Sequence, residues 1–141
     1  MATLTRIEWT GGVAFRATTG TGHDIIMDGA PEAGGQNAGA RPMELVLSGL
    51  AGCTSFDVVS ILNKMRQPVS GISAEINAER AETVPKVFTD IHMAFTVTGE
   101  GIDKGKVERA VSLSAEKYCS AAQMLNKTAN ITHSVTIIDE G

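Results

Sequence analysis

The alternation of apolar and polar residues along the chain predicts an α+β fold. Residues 4–17 alternate loosely around Gly11-Gly12, and residues 23–28 hold a further short apolar run, which indicates a strand–turn–strand unit followed by a third strand. Residues 71–80 and 87–97 alternate with a period of two, which is typical of half-buried strands that pair as a hairpin. Residues 130–138 predict a closing strand.

Two longer apolar segments between these strands predict helices. The first begins at Pro42, where a missing N–H is harmless, and continues to about Met65. It is apolar on nearly all sides, so we expect a long central buried helix. A single small domain rarely surrounds one helix, so we expect a second copy of the chain to cover part of it. Residues 103–118 and 120–128 predict two further helices.

Ser114 is a polar residue on the otherwise apolar face of the helix predicted for residues 103–118. Residues 29–41 are rich in Gly, Ala and Pro, and they predict a mobile loop rather than a linker between domains. With 141 residues and a mass of 14.8 kDa, the chain has the size of one domain, and we expect a single domain over residues 1–141.

Composition and charge argue against several classes of partner. The net charge is −4, no cluster of Lys and Arg occurs, and aromatic residues make up 4% of the chain, so we expect no nucleic-acid partner. The apolar run over residues 45–62 contains Asp57, whose carboxylate is costly inside a bilayer, so we expect no membrane partner. The first residues lack the apolar core of a signal peptide, which favours a cytoplasmic protein.

The two cysteines are the most informative residues. Cys53 lies in the middle of the predicted central helix, and Cys119 lies 66 residues later. In a cytoplasmic protein they are expected to be thiols. A free cysteine is most often a small buried hydrophobe, but Gly49 and Gly52 beside Cys53 each cost helix stability. These glycines indicate that either a neighbouring helix or a substrate approaches the helix there.

A reactive cysteine needs a nearby positive charge to favour its thiolate. The helix offers none close to Cys53, because Arg41 lies about 18 Å away along the axis. The cation must come from Arg16, from Arg41 of a second chain, from Lys117 or from a histidine such as His133. His133 has the strand parity of its apolar neighbours, and a satisfied core histidine is the more common role for such a residue.

Metal and cofactor motifs are not found in the sequence. Two cysteines 66 residues apart, without a CxxC or HxxxH pair, do not match the spacing of structural zinc sites. The chain contains neither GxxxxGK[ST] nor GxGxxG, and no serine lies in a nucleophile-elbow context. We therefore expect no metal and no cofactor.

Three stretches of the chain resemble the OsmC/Ohr family of osmotically inducible and organic-hydroperoxide-resistance proteins. These are PMEL at residues 42–45, AGC at 51–53 and AEKYC at 115–119, and the order of the elements is also similar. The stretches DVVSIL at 57–62, LSAEKYCS at 113–120 and NITH at 130–133 are most similar to its YhfA-type branch. The resemblance extends over nearly the whole chain.

The resemblance implies an OsmC-like fold, with antiparallel sheets around a long central helix, in an intertwined homodimer. It also implies a thiol-dependent peroxidase that reduces small organic hydroperoxides. Cys53 is then the peroxidatic thiolate, Cys119 resolves its sulfenic acid as a disulfide, and a dithiol reductant resets the pair.

One departure from the family concerns the residue after Pro42. Family members place a glutamate there that orients an activating arginine, but this chain has Met43, and Glu44 follows one residue later. One residue rotates a helical side chain by roughly 100°, so Glu44 does not replace that carboxylate. Arg16 and Arg41 remain as the candidate catalytic arginines. The alternative function is a non-catalytic OsmC-fold protein that binds a small apolar ligand at the dimer interface.

Overall fold

The computed structural model describes residues 2–141 and contains six strands and three α-helices in that range. The order is β1 (Thr5–Gly11), β2 (Ala14–Thr19), β3 (Asp24–Met27), α1 (Pro42–Lys64), β4 (Val69–Arg80), β5 (Phe88–Gly99), α2 (Lys104–Leu113), α3 (Ser120–Leu125) and β6 (Asn130–Asp139). Every element lies where the sequence pattern predicts one. The chain forms two compact units, Met1–Leu47 and Ser48–Gly141, and each is described by itself.

The first unit is built on a three-stranded antiparallel sheet in the order β1-β2-β3. Trp9 on β1 pairs with Phe15 on β2, across the turn that Gly11 and Gly12 make with positive φ angles. All seven residues of β1 are exposed, and Trp9 is 68% exposed. This sheet therefore presents large apolar side chains that the chain itself leaves uncovered.

The segment after β3 is organised by a buried carboxylate. Asp28 accepts hydrogen bonds from the backbone N–H groups of Gly29 at 2.7 Å, Gln36 at 3.0 Å and Ala38 at 3.1 Å. These bonds, led by that from Gln36, hold the pKa of Asp28 below its ordinary value, and the charge of Arg41 acts in the same direction. Residues 29–41, predicted as a mobile loop, thus have a defined hydrogen-bonded structure that includes a short 3₁₀ turn at Pro31–Ala33.

The central helix α1 has one buried face and one exposed face. Leu50, Thr54, Val58 and Leu62 recur every four residues and are buried. Phe56, which is 76% exposed, and Val59, which is 45% exposed, lie on another face. By length and composition α1 could cross a membrane, but its buried face identifies it as the core helix of this fold. The sequence pattern predicted that α1 is buried on nearly all sides, but this chain alone buries only one of its faces.

The second sheet has the order β4-β5-β6. Strands β4 and β5 form the predicted antiparallel hairpin, whereas β6 runs parallel to β5. The sheet is therefore mixed rather than purely antiparallel. The reason lies in the connection, because a parallel neighbour needs a crossover, and α2 and α3 supply it here. Alternate residues of β5, among them Ile91, Met93 and Phe95, are buried and contribute to the core.

The helix predicted over residues 103–118 is present in two parts. Asp103 caps α2 by accepting a hydrogen bond from the backbone N–H of Lys106. The residues Ser114–Tyr118 then form a π-helical turn rather than a continuation of α2. Cys119 follows in extended conformation and is the N-cap of α3. Turns of this π-helical type are frequent at functional sites.

Candidate active site

Two cysteines and one aspartate meet between α1 and the segment that joins α2 to α3. The Sγ atoms of Cys53 and Cys119 and a carboxylate oxygen of Asp57 all lie within 4.8 Å of one another. Both cysteines are free thiols. The expectation that the chain brings these cysteines together is confirmed, although 66 residues separate them in sequence.

Cys119 is completely buried and held by hydrogen bonds. Its Sγ accepts a bond from the hydroxyl of Thr54 at 3.2 Å and one from the backbone N–H of Ala122 at 3.4 Å. Burial raises the pKa of the Cys119 thiol, the bonds from Thr54 and Ala122 lower it in part, and the neighbouring Cys53 raises it again. Cys119 is therefore a protonated thiol at neutral pH.

Asp57 is held in place by Ser114, the polar residue on the otherwise apolar helix face. The Ser114 hydroxyl lies 2.9 Å from Oδ2 of Asp57 and 3.1 Å from the backbone oxygen of Thr54, and it donates its single proton to one or the other. Sequence reasoning used Asp57 as an argument against a membrane span and as part of the DVVSIL stretch at 57–62, but not as a site residue. The signal that could have placed it in the site is its position four residues after Cys53, on the same helix face.

A cavity of about 490 Å³ begins at Asp57. Its walls also include Ser60, Ile61 and Lys64 of α1, Leu113 at the end of α2, and Tyr118 of the π-helical turn. The side chains of Ile61, Leu113 and Tyr118 make the walls largely apolar, while Asp57 and Lys64 place one charge of each sign there. The cavity thus has the size and chemistry to admit a small organic molecule beside Asp57.

The two cysteines differ in exposure. Cys53 is partly exposed, whereas Cys119 is completely buried. A Cβ atom added at Gly49 or Gly52, which flank Cys53 on α1, would meet nothing within 4 Å in the described chain. The surface beside Cys53 is therefore open in one chain, and a reagent from outside reaches Cys53 before Cys119.

The candidate arginines both belong to the first unit and have partners there. Arg16 on β2 forms an exposed ion pair with Glu8 at 3.4 Å. The guanidinium of Arg41 donates to the side chain of Asn37 at 2.8 Å and to the backbone oxygen of Gly39 at 3.3 Å. The backbone N–H of Arg41 donates to Glu44 at 2.8 Å, so this carboxylate serves the start of α1.

The other candidate cations of the sequence lie near the π-helical turn. The Lys117 ammonium lies over the ring of Tyr118, 5.3 Å from its centre. His133 on β6 is partly buried and lines a separate cavity of about 450 Å³ together with Glu116 and Lys127. This histidine faces a polar cavity, which differs from the satisfied core position favoured by the sequence pattern.

The chain is similar to known proteins both in sequence and in fold. A family model described as OsmC-like protein matches residues 34–134. Protein YhfA of Escherichia coli (strain K12) is 46% identical over 136 residues, which is 94% of this chain and 96% of that protein.

Solved structures are similar over the same extent. A hypothetical protein from Aquifex aeolicus VF5 has a TM-score of 0.88 at 29% identity, covering 100% of this chain and 99% of that one. An organic hydroperoxide resistance protein OsmC from Legionella pneumophila has a TM-score of 0.72 at 19% identity, covering 96% of this chain and 97% of that one. At that identity the second likeness concerns the fold alone.

Proposed function

Because this chain belongs to the OsmC-like protein family, we propose that it is a thiol-dependent peroxidase that reduces organic hydroperoxides with Cys53 and Cys119. The observation that supports this most directly is the pair of free thiols whose Sγ atoms lie within 4.8 Å of each other, one partly exposed and one buried. Such a pair has the arrangement needed for an oxidation that ends in an intramolecular disulfide.

Cys53 is the peroxidatic residue because it is the thiol that a hydroperoxide can reach. Its thiolate attacks the terminal oxygen of ROOH, the O–O bond breaks, and the alkoxide takes a proton and leaves as ROH. Cys53 becomes a sulfenic acid in this step, so the sulfur is oxidised and the peroxide is reduced. The cavity of about 490 Å³ beginning at Asp57 accommodates the organic group R.

Cys119 is the resolving residue. Its sulfur attacks the sulfenic sulfur of Cys53, a disulfide forms, and hydroxide leaves and becomes water by taking a proton. Asp57, whose carboxylate lies within 4.8 Å of both sulfurs, accepts the proton of the Cys119 thiol and passes it to the departing hydroxide. A dithiol reductant then reduces the disulfide and returns both thiols, becoming a disulfide itself.

In the proposed homodimer, the cation that favours the Cys53 thiolate is supplied by Arg16 or by Arg41 of the second copy. Substitution of each arginine by alanine distinguishes them, because only the loss of the active arginine should lower the rate of peroxide reduction. Arg16 is the simpler variant to interpret, since its exposed pair with Glu8 contributes little to stability. The Glu8→Gln variant controls for loss of that pair.

The working form is a homodimer in the cytoplasm, with residues 1–141 acting as one OsmC-like domain. Support comes from the open surface at Gly49 and Gly52, the exposed side chains of Phe56 and Val59 on α1, and Trp9 on the fully exposed strand β1. Exposed apolar surface of this kind is typical of an interface. A second copy would cover these residues and complete the surroundings of Cys53.

Consumption of cumene hydroperoxide with dithiothreitol as reductant, in the presence of a chelator, tests the peroxidase proposal. We expect Cys53→Ser to reduce the rate to the uncatalysed background. Cys119→Ser should turn over slowly, because the external dithiol must then attack the sulfenic acid itself. We also expect hydrogen peroxide to react more slowly than cumene hydroperoxide. A wild-type rate equal to that of Cys53→Ser would contradict the proposal.

A second candidate is a non-catalytic protein that binds a small apolar ligand at the dimer interface. Met43 at the position of the family glutamate, together with the use of Glu44 at the start of α1, favours it. Native mass spectrometry of the purified dimer distinguishes the two functions. A retained small molecule, combined with no consumption of hydroperoxide, would identify the binding protein.

A further inference from the structure

The three groups that meet at the site are all of kinds that zinc accepts as ligands. Cys53 and Cys119 offer two sulfurs and Asp57 offers an oxygen, and these atoms lie within 4.8 Å of one another. Around zinc, with Zn–S bonds of about 2.3 Å, two tetrahedral sulfur ligands are roughly 3.8 Å apart. The three ligand atoms therefore need to approach one another by only about an ångström to bind one ion.

The hydrogen bonds around these groups also suit metal ligands. The hydroxyl of Thr54 and the N–H of Ala122 already point at the Cys119 sulfur, where they would stabilise a metal-bound thiolate. The hydroxyl of Ser114 fixes the Asp57 carboxylate. Hydrogen bonds of this kind orient ligands in established metal sites and raise their affinity.

We propose that the reduced protein binds one zinc ion through the Sγ atoms of Cys53 and Cys119 and a carboxylate oxygen of Asp57, with water in the fourth position. The sequence shows no zinc spacing here because the ligands come from different elements. Asp57 lies four residues after Cys53 on α1, and Cys119, the N-cap of α3, lies 66 residues after Cys53. Sulfur ligands select zinc over magnesium or calcium. The ion and the Cys53–Cys119 disulfide exclude each other, so zinc binding would hold the thiols out of peroxide chemistry.

Titration of Co²⁺ into the reduced protein without oxygen tests the site independently of peroxidase activity. We expect thiolate-to-cobalt charge-transfer absorption together with the visible bands of tetrahedral Co²⁺, at one ion per chain. Added Zn²⁺ should abolish these bands, and protein oxidised to the disulfide should not produce them. Absence of the bands in reduced wild type, or equal bands in the oxidised form, would overturn the proposal.

Variants identify the ligands. We expect Cys53→Ser, Cys119→Ser and Asp57→Asn each to weaken Co²⁺ binding by at least about tenfold, since even second-layer partners contribute this much. The matched control is Asp90→Asn, which alters an exposed carboxylate on β5 and should bind as wild type does. Unchanged affinity in Asp57→Asn would show that the carboxylate is not a ligand and would overturn the three-ligand site.

Protection of the thiols is measured in the wild-type protein, so the result does not depend on the folding of a variant. Zn²⁺ should protect the partly exposed Cys53 from alkylation by iodoacetamide, measured by mass spectrometry of the digested protein, whereas Mg²⁺ should not. Equal alkylation with and without Zn²⁺ would contradict the site. Because the peroxide assay contains a chelator, metal binding and peroxidase activity can fail separately.

Discussion

The hydroxyl of Thr54 lies 3.2 Å from the Sγ of Cys119, although 65 residues separate them in sequence. The same oxygen lies 3.0 Å from the backbone oxygen of Leu50, one turn earlier on α1. Since a hydroxyl has a single proton, it donates to the sulfur or to the carbonyl at any moment. Thr54 therefore couples the central helix to the buried thiol.

Thr54→Val tests this coupling with a side chain of similar shape that cannot donate. We expect the free energy of unfolding to fall by about 1 kcal/mol, the ordinary value of one buried hydrogen bond. The pKa of Cys119 should also rise, because a bond that lowers it is lost. Urea unfolding and thiol titration in a Cys53→Ser background measure the two effects.

Thr54→Ser is the matched control, since it keeps the hydroxyl and removes a methyl group. Its free energy of unfolding should fall because packing is reduced, but the pKa of Cys119 should equal that in the parent protein. An identical titration for Val and Ser at this position would show that the hydroxyl does not act on the thiol.

The raised pKa of Cys119 predicts a loss of stability at alkaline pH. The unfolded chain deprotonates this thiol near the ordinary value of about 8.5, whereas the folded protein holds the proton to higher pH. Its contribution to stability is therefore complete below that pH and is lost as pH rises through the folded pKa. Thermal unfolding of reduced protein between pH 7 and pH 10, compared with Cys119→Ala, should show a smaller decline in the variant.

The lowered pKa of Asp28 predicts a loss of stability at acidic pH for the first unit. Its pKa is lowered in the folded protein, so its contribution is present above the unfolded value of about 3.9 and is lost as pH falls below it. Asp28→Asn should lower the melting temperature at pH 7 and reduce the sensitivity to acid, because an amide accepts fewer hydrogen bonds than a carboxylate. Asp24→Asn, which changes an exposed carboxylate on β3, is the matched control for the loss of one negative charge.

The exposed face of α1 predicts the effect of a charge at Phe56. Phe56→Glu should convert the proposed dimer to a monomer, because a carboxylate would be buried at the interface without a partner. Asn77→Glu on the exposed face of β4 should remain dimeric. Sedimentation at micromolar concentration distinguishes these outcomes, and a wild-type monomer of 14.8 kDa would contradict the dimer itself.

The sequence was sufficient to predict the elements and their order, because the period of two is strong in β4 and β5, α2 has apolar residues at helical spacing, and α1 is a long apolar segment that begins at a proline. It did not indicate that β6 pairs in parallel with β5, since strand direction depends on the path of the connection. It also gave no sign of the π-helical turn at Ser114–Tyr118, which depends on tertiary contacts.

The site was only partly predictable from sequence. The two cysteines were identified from their positions in helical segments and from the family resemblance. Asp57 and Ser114 were not, because a carboxylate in an apolar helix and a serine on an apolar face become informative only once their partner is known. Their 2.9 Å hydrogen bond joins residues 57 positions apart, a relationship that no local pattern contains.

The most direct test of the proposed peroxidase is a single turnover of the reduced protein with one equivalent of cumene hydroperoxide, analysed by intact and peptide mass spectrometry. We predict the loss of two hydrogen atoms, a Cys53–Cys119 disulfide within one chain, and release of the corresponding alcohol. In Cys119→Ser, dimedone should instead trap a sulfenic acid at Cys53. Recovery of both thiols unmodified, with the hydroperoxide intact, would contradict the account.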